Sequence, residues 1–133
     1  MNTCSEPAHV LRSVKIQPGT YFLGDPSQVL TVEKFDELVD ASCDFSRVAR
    51  DGDSQVIAFP ARKGGRVYND DDGKAYLVES GLIGLTPTHM VDDLPAALLP
   101  KRGRVVQFDG AVRCTRRADG VLTFGRYRIH TGR

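Results

Sequence analysis

Short apolar segments alternate with turn residues along most of the chain. The segments "SQVIAFP", "GRVYN", "KAYLVES", "RVVQF" and "AVRCTRR" each carry β-branched or aromatic residues, which are frequent in strands. Pro-Gly or Asp-Gly pairs separate such segments at positions 18–19, 72–73, 109–110 and 119–120, and these pairs favour tight turns. The pattern predicts a mainly β fold of the α+β kind, a compact β-barrel or sandwich of six to eight strands.

Residues 31–43, "TVEKFDELVDASC", have the periodicity of a helix. The apolar positions recur at helical spacing and are Val32, Phe35, Leu38 and Val39. Thr31 stands before them, where a hydroxyl can accept the free backbone N–H groups of a first turn. We therefore expect one amphipathic helix that packs on the sheet through these four residues. A shorter helical turn is expected in residues 92–100, "DDLPAALLP", because Pro95 suits the start of a helix.

Composition predicts one ordinary domain, residues 1–133. The chain has 133 residues, of which 41% are hydrophobic and 26% are charged, within the range of a single globular core. No segment resembles a signal peptide or approaches the ~20 apolar residues that cross a bilayer, so we expect a cytoplasmic protein without membrane contact. The three cysteines, Cys4, Cys43 and Cys114, have no close spacing, which favours thiols over a disulfide framework or a zinc site.

Charge is distributed unevenly along the chain. Residues 1–100 have a net charge of −6, whereas residues 101–133 have a net charge of +7. A two-residue turn at Asp119-Gly120 would give a hairpin with one core face and one basic face. The core face would contain Val112, Cys114, Tyr127 and Ile129. The basic face is the predicted interaction site, and it would contain Arg113, Arg117, Phe124, Arg126 and Arg128.

The predicted basic face needs acidic groups nearby. Arg113 and Arg126 would lie directly opposite each other in this hairpin, and like charges in that arrangement cost free energy. Their acidic neighbour could be the helix predicted at residues 31–43 or a binding partner. Several guanidinium groups on one rigid element can bind carboxylates or phosphates. We expect an acidic protein surface as the partner, with nucleic acid as the alternative.

Three blocks of the sequence resemble a group of small uncharacterised bacterial and phage proteins. The blocks are "PGTYFLGDPSQVL", "RVYNDDDGKAYLVESGLIGLTP" and "QFDGAVRCTRRADGVLTFGRYRIHT". The resemblance implies a shared β-rich fold with a hairpin that ends in a Ser-Gly-x-Ile-Gly turn. It implies no activity. Those proteins commonly carry Cys-Tyr after Gly-Asp-Pro, where this chain has Ser27-Gln28, so a role for a thiol at that place is not carried over.

Three other groups of residues are candidates for catalysis or metal binding. Asp70, Asp72 and Glu79 have the spacing of a calcium loop, but Tyr68 replaces its first carboxylate and strands instead of helices flank it. Ser80 lacks the first glycine of the G-x-S-x-G motif of serine hydrolases. Asp25, between Gly24 and Pro26, suits a turn, although a carboxylate held there could also line a pocket. The sequence predicts no catalytic residue, no cofactor and no metal.

Two classes of function remain from the sequence. The first is a non-enzymatic interaction protein that docks a macromolecular partner through charged surfaces, for example a phage-encoded inhibitor of a host defence complex. The second is a small enzyme with a polar pocket in the mouth of a β-barrel, using Asp25, Ser80 or a histidine. The absence of a coherent catalytic motif in the sequence favours the first class.

Overall fold

A computed structural model describes residues 12–43, 45, 47–91 and 102–132. Two antiparallel sheets contain eleven strands in this part of the chain. In spatial order, the six-stranded sheet consists of β1 (Arg12–Ile16), β9 (Val112–Arg116), β10 (Val121–Phe124), β11 (Tyr127–His130), β5 (Arg66–Asp70) and β6 (Ala75–Val78). The five-stranded sheet consists of β3 (Ala49–Asp51), β4 (Ser54–Pro60), β7 (Leu82–Pro87), β2 (Gly19–Gly24) and β8 (Arg104–Phe108).

The two sheets form a sandwich, which confirms the mainly β fold class. The predicted number of strands, six to eight, is too low, because β2, β3 and β7 form outside the predicted segments and one segment contains a turn. That segment is "VLTFGRYRIH", which forms both β10 and β11. Short 3-10 turns follow β2 at Pro26–Gln28 and β7 at Thr88–Met90. The helical turn predicted for residues 92–100 lies outside the described residues.

Apolar side chains form two cores, one on each side of the five-stranded sheet. The larger core fills the space between the sheets and includes the fully buried Phe59, Tyr76 and Phe124. The smaller core lies on the other side of the five-stranded sheet, where Phe22 and Leu38 are buried. The inner strands β4, β7 and β2 are therefore apolar on both faces. This arrangement leaves one face of the six-stranded sheet pointing away from both cores.

The predicted helix is confirmed as α1, which spans Val32–Ser42. The hydroxyl of Thr31 accepts the backbone N–H of Lys34 at 3.1 Å, so the predicted cap is also present. Leu38 is buried and Phe35 and Val39 are partly buried in the smaller core. The prediction is wrong for Val32, which is 72% exposed. Val32 is the first residue of the helix and points away from the sheet that the later turns cover.

The cysteines are only partly as predicted. Cys114 is a buried free thiol, and burial raises its pKa to about 12, so it is an inert core residue. Cys43 is disulfide-bonded, which corrects the expectation that it is a thiol. The odd number of cysteines and their wide spacing in the sequence gave no indication of this bond. Cys43 ends α1 in a left-handed conformation with a φ of 53°, so the bond is attached at the end of the helix.

Candidate functional site

The C-terminal hairpin does not have the predicted register. Its first turn is a three-residue loop in which Gly120, with a φ of 86°, donates its N–H to the carbonyl of Arg117 at 3.0 Å. Such a loop contains one residue more than the two-residue turn that an Asp-Gly pair favours. Leu122 therefore pairs with Arg116, and not with Arg117. A shift of one residue exchanges the two faces of strand β10.

Phe124 is the predicted interaction residue that this shift moves into the core. Its side chain is fully buried, and its ring centre lies 5.7 Å from that of Phe59 on the opposite sheet. The prediction that Phe124 belongs to the basic face is wrong. A second turn follows at once, because Gly125, with a φ of 63°, begins the connection to β11. Arg126 consequently lies in a turn instead of opposite Arg113.

Four predicted arginines remain exposed, in three different places. Arg113 pairs with Lys15 of β1 and donates a hydrogen bond to the hydroxyl of Ser13 at 2.8 Å. Arg126 lies over the ring of Tyr127, 4.9 Å from its centre. Arg117 and Arg128 lie together at the other end of the sheet, where both line one cleft. The structure thus brings two of the five predicted residues together.

The face of the six-stranded sheet that points away from the core is here called the outer face. Alternation along its strands places these side chains on it: Lys15, Val67, Asn69, Leu77, Arg113, Thr115, Thr123, Arg128 and His130. Two of them are apolar and pair across β5 and β6: Val67 is 56% exposed and Leu77 is 41% exposed. The outer face therefore combines exposed cationic side chains with an apolar patch.

Arg117, Arg128 and His130 line a cleft of about 230 Å³ at one end of the outer face, here called the basic cleft. Asp119 also lines it, and its carboxylate lies 3.3 Å from the Arg117 guanidinium. Nε of Arg128 lies 3.4 Å from the carboxylate of Asp71, which Nε2 of His130 also contacts. The bond to His130 and the charge of Arg128 hold the pKa of Asp71 below its ordinary value. Two of the six residues that line the cleft are arginines, Arg117 and Arg128, and each lies beside an aspartate.

The acidic helix is not the neighbour of these arginines. Helix α1 packs on the five-stranded sheet, where Leu38 contacts the smaller core. Its Lys34 pairs with Glu37 of the helix and Asp51 of β3. Arg117 and Arg128 instead pair with aspartates of turns in their own sheet. The helix was predicted as the acidic neighbour of Arg113 and Arg126, but Arg113 bonds to Ser13 and Arg126 lies over the ring of Tyr127, and neither contact involves the helix.

Asp25 is fully buried and holds two turns together. Its carboxylate accepts hydrogen bonds from the backbone N–H and the hydroxyl of Ser27, at 2.9 and 2.8 Å. It also accepts the N–H of Glu79 at 2.7 Å and both the N–H and the hydroxyl of Ser80, at 2.9 and 2.7 Å. The Ser80 hydroxyl therefore donates to a carboxylate and faces no histidine in these contacts. Asp25 and Ser80 thus connect the turn after β2 to the turn after β6.

Asp70 is the centre of a buried polar network that sequence reasoning missed. One carboxylate oxygen accepts the hydroxyl of Tyr76 at 2.6 Å and Nε of Arg104 at 3.0 Å. The other accepts the backbone N–H groups of Asp72 and Lys74, both at 2.9 Å. Burial acts to raise the pKa of Asp70, but the bonds from Tyr76 and Arg104 outweigh it, so this pKa lies below its ordinary value. Burial and the bond to Asp70 raise the pKa of Tyr76.

The same loop, residues 68–79, has the spacing of a calcium loop, and the structure shows what its aspartates bind. The guanidinium of Arg104 occupies the position beside Asp70 where a cation would bind, and its Nη2 also reaches Asp72 at 3.1 Å. Tyr68, at the first loop position, is buried and donates its hydroxyl to the carbonyl of Gly64. Within residues 12–43, 45, 47–91 and 102–132, no group of three or more His, Cys, Asp or Glu side chains could hold a metal ion.

A serine and a histidine meet in a second cleft, on the five-stranded sheet. Oγ of Ser54 lies 2.6 Å from Nε2 of His89, and both residues line a cleft of about 400 Å³ together with Asp53 and Tyr21. The two residues are 35 positions apart and belong to β4 and the turn after β7. No motif in the sequence identifies them, because only the pairing of β4 with β7 brings them together.

A comparison of the chain with known proteins gives no match to a family model, to a curated protein or to a solved structure. No helix in the described ranges is long and apolar enough to cross a membrane. The function must therefore be inferred from the residues of this chain and their arrangement.

Proposed function

We propose that this chain is a non-enzymatic interaction protein that docks an acidic protein surface through the outer face. The observation that carries the proposal is the presence of exposed Lys15, Arg113 and Arg128 on the same sheet face as the exposed Val67 and Leu77. Interfaces combine apolar contact area with arginines, which bind carboxylates through two parallel hydrogen bonds. A sheet that is ordered before binding presents such groups without a cost in backbone ordering.

A protein partner suits this surface better than a nucleic acid does. Asp71 and Asp119 lie next to Arg128 and Arg117, and carboxylates repel a phosphate backbone that carries a charge at every nucleotide. The apolar patch of Val67 and Leu77 also has no counterpart in a phosphate backbone. Because the sequence resembles phage proteins, a concrete form of the proposed function is inhibition of a host defence complex by occupation of an acidic surface.

Charge reversal on the outer face tests the proposal. The double variant Arg113→Glu with Arg128→Glu is used as bait in host lysate, and captured proteins are identified by mass spectrometry. We expect the variant to fold and to lose a partner that the unaltered protein captures. The control is Arg50→Glu with Lys63→Glu, which changes the charge equally at exposed positions away from the outer face. Equal capture by both double variants would contradict the proposal. Capture of nucleic acid instead of a protein would mean that the outer face binds nucleic acid.

A second candidate function is hydrolysis at the cleft of Ser54 and His89, and the 2.6 Å contact between their side chains favours it. His89 would accept the hydroxyl proton while Oγ of Ser54 attacks an acyl carbonyl, and would return it to the leaving group. Water would then attack the acyl-Ser54 ester, releasing the acid and restoring the hydroxyl. Labelling with a fluorophosphonate tests this. Labelling of Ser54 that Ser54→Ala and His89→Ala abolish, but Ser13→Ala retains, would support an enzyme. An unlabelled protein would eliminate this candidate.

A further inference from the structure

We infer that the basic cleft receives a carboxylate side chain from an extended segment of the partner, and that an apolar side chain two residues away packs on Val67 and Leu77. The inference rests on the proposed function and specifies the chemistry of what the outer face binds. The juxtaposition that carries it is the basic cleft of Arg117, Arg128 and His130 beside an exposed apolar pair on the same sheet face.

The arginines of the basic cleft are available to a new carboxylate. Their present partners are Asp119 and Asp71, at 3.3 and 3.4 Å, and all four side chains are about half exposed. Exposed ion pairs of this kind contribute little to stability, so exchanging one carboxylate for another costs the fold little. An incoming carboxylate gains more, because a docked segment excludes water from the cleft and strengthens the electrostatic interaction.

The aspartates also select the charge of the group that enters. A single carboxylate adds one negative charge. The two guanidinium groups have enough N–H donors to bind it together with Asp119 and Asp71. A phosphoryl group carries nearly two negative charges at neutral pH, and because Asp119 and Asp71 already offset the charges of the two guanidinium groups, its second charge has no cation to balance it. The cleft of about 230 Å³ is also a small space, suited to one side chain. We therefore assign the site to Asp or Glu of a protein segment.

His130 indicates where the apolar side chain of the partner's segment would lie. This residue lines the basic cleft and also a neighbouring cleft of about 410 Å³ whose wall includes Val67. His130 pairs with Asn69, and Val67 follows two residues away on the same side of β5. In an extended segment, side chains i and i+2 point the same way and lie about 7 Å apart. A Glu-x-Leu sequence can therefore place its carboxylate in the basic cleft and its leucine over Val67.

A peptide titration followed by NMR tests the inference. The probe is the blocked peptide acetyl-Gly-Glu-Ser-Leu-Gly-amide, added to the isotope-labelled full chain. We expect shifts of the Arg117, Arg128 and His130 side chains and of the methyl groups of Val67 and Leu77. Replacing the Glu of the peptide by Gln should weaken binding at least fivefold, and replacing its Leu by Ser about threefold. Arg117→Gln should weaken binding to a similar extent as the Gln peptide, whereas the control Arg50→Gln should not.

Four results would each overturn the inference: shifts confined to other surfaces, no detectable binding, equal binding of the Gln peptide, and tighter binding when phosphoserine replaces Glu. The two proposals can fail separately. Loss of partner capture by Arg113→Glu with Arg128→Glu, together with full capture by Arg117→Gln, would remove the cleft assignment and leave the outer face as the docking surface. Retained capture by the double variant would remove the docking surface itself.

Discussion

The two sheets of this protein differ in how their strands are buried, and the difference separates stability from function. In the five-stranded sheet, Val56, Ile57, Ala58 and Phe59 are buried in succession on β4, because one face contacts the other sheet and the opposite face contacts α1. In the six-stranded sheet, β5 and β6 alternate between buried and exposed residues. A sheet covered on both faces needs continuous apolar strands, whereas alternation indicates an open face. Among the described residues, the six-stranded sheet carries the exposed apolar pair Val67 and Leu77, whereas the five-stranded sheet exposes Val105 at its edge strand β8.

The largest effect is expected from removing a large side chain on the helix side of the five-stranded sheet. Phe22 is fully buried in the smaller core. Phe22→Ala should lower the free energy of unfolding by about 4 kcal/mol through lost burial and the cavity left behind. Chemical denaturation measures the change. Leu77→Ala is the matched control on the outer face, where a change below about 1 kcal/mol is expected. Similar losses for both variants would mean that the two sheets are not covered differently.

Asp70 and Asp71 are neighbours in the chain and test the same difference between covered and open parts of the fold. The side chain of Asp70 is 2% exposed and that of Asp71 is 51% exposed. Asp70→Asn should cost about 3 kcal/mol, because Arg104 then loses its buried carboxylate partner and keeps only the exposed Asp72. Asp71→Asn should change stability much less. Denaturation of both variants at neutral pH measures the difference, and an equal loss at the two positions would contradict the assignment of Asp70 to the core.

The pH dependence of Asp70 has a defined sign. Its pKa in the folded protein lies below the ordinary value, which is about 3.9 in an unfolded chain. The ionised carboxylate therefore stabilises the fold above about pH 4, and this contribution is lost as the pH falls through the folded pKa. The stability difference between the unaltered protein and Asp70→Asn should shrink between pH 6 and pH 2.5. A difference that stays constant over this range would show that the charge of Asp70 does not stabilise the fold.

A smaller effect, of opposite sign, is expected at Thr86 on the central strand β7. Its hydroxyl is fully buried and has no hydrogen-bond partner within the described part of the chain. Thr86→Val keeps the shape of the side chain and removes the unpaired group, so it should stabilise the fold by about 1 kcal/mol. A thermal melt measures the change. Destabilisation would indicate that the hydroxyl has a partner beyond the described residues.

Features that depend on neighbouring residues were predictable from the sequence. Helix α1 and its Thr31 cap follow from spacing within one segment, and the β-rich class follows from frequent turns. The register of the C-terminal hairpin was not predictable, because the same Asp-Gly letters fit a two-residue turn and a three-residue loop that places Gly120 last. The networks of Asp70 with Arg104 and of Ser54 with His89 join residues 34 and 35 positions apart, which only strand pairing brings together.

The apolar patch of the outer face could not be predicted from hydrophobic periodicity. In "RVYND" and "AYLV" the exposed Val67 and Leu77 alternate with the buried Tyr68 and Tyr76. Both faces are apolar at these positions, so the alternation is one of size and aromatic character and not of polarity. Periodicity of hydrophobicity alone therefore reads these strands as covered on both sides. Only the position of β5 and β6 in the sheet shows which apolar residues remain at the surface.

The smallest change in stability, with a clear change in binding, is expected from the apolar pair of the outer face. Val67→Thr with Leu77→Thr retains side chains that suit a strand and removes apolar surface that is already about half exposed. The free energy of unfolding should change by no more than about 0.5 kcal/mol, as for most surface substitutions. Capture of the partner should fall about tenfold, because apolar contacts near the centre of an interface carry much of the binding energy. Quantitative pull-down at two salt concentrations measures this loss, which should persist at high salt, where screening weakens the contribution of the arginines. Undiminished capture at both concentrations would mean that the partner binds through charge alone, and the apolar patch would then have no part in the docking surface.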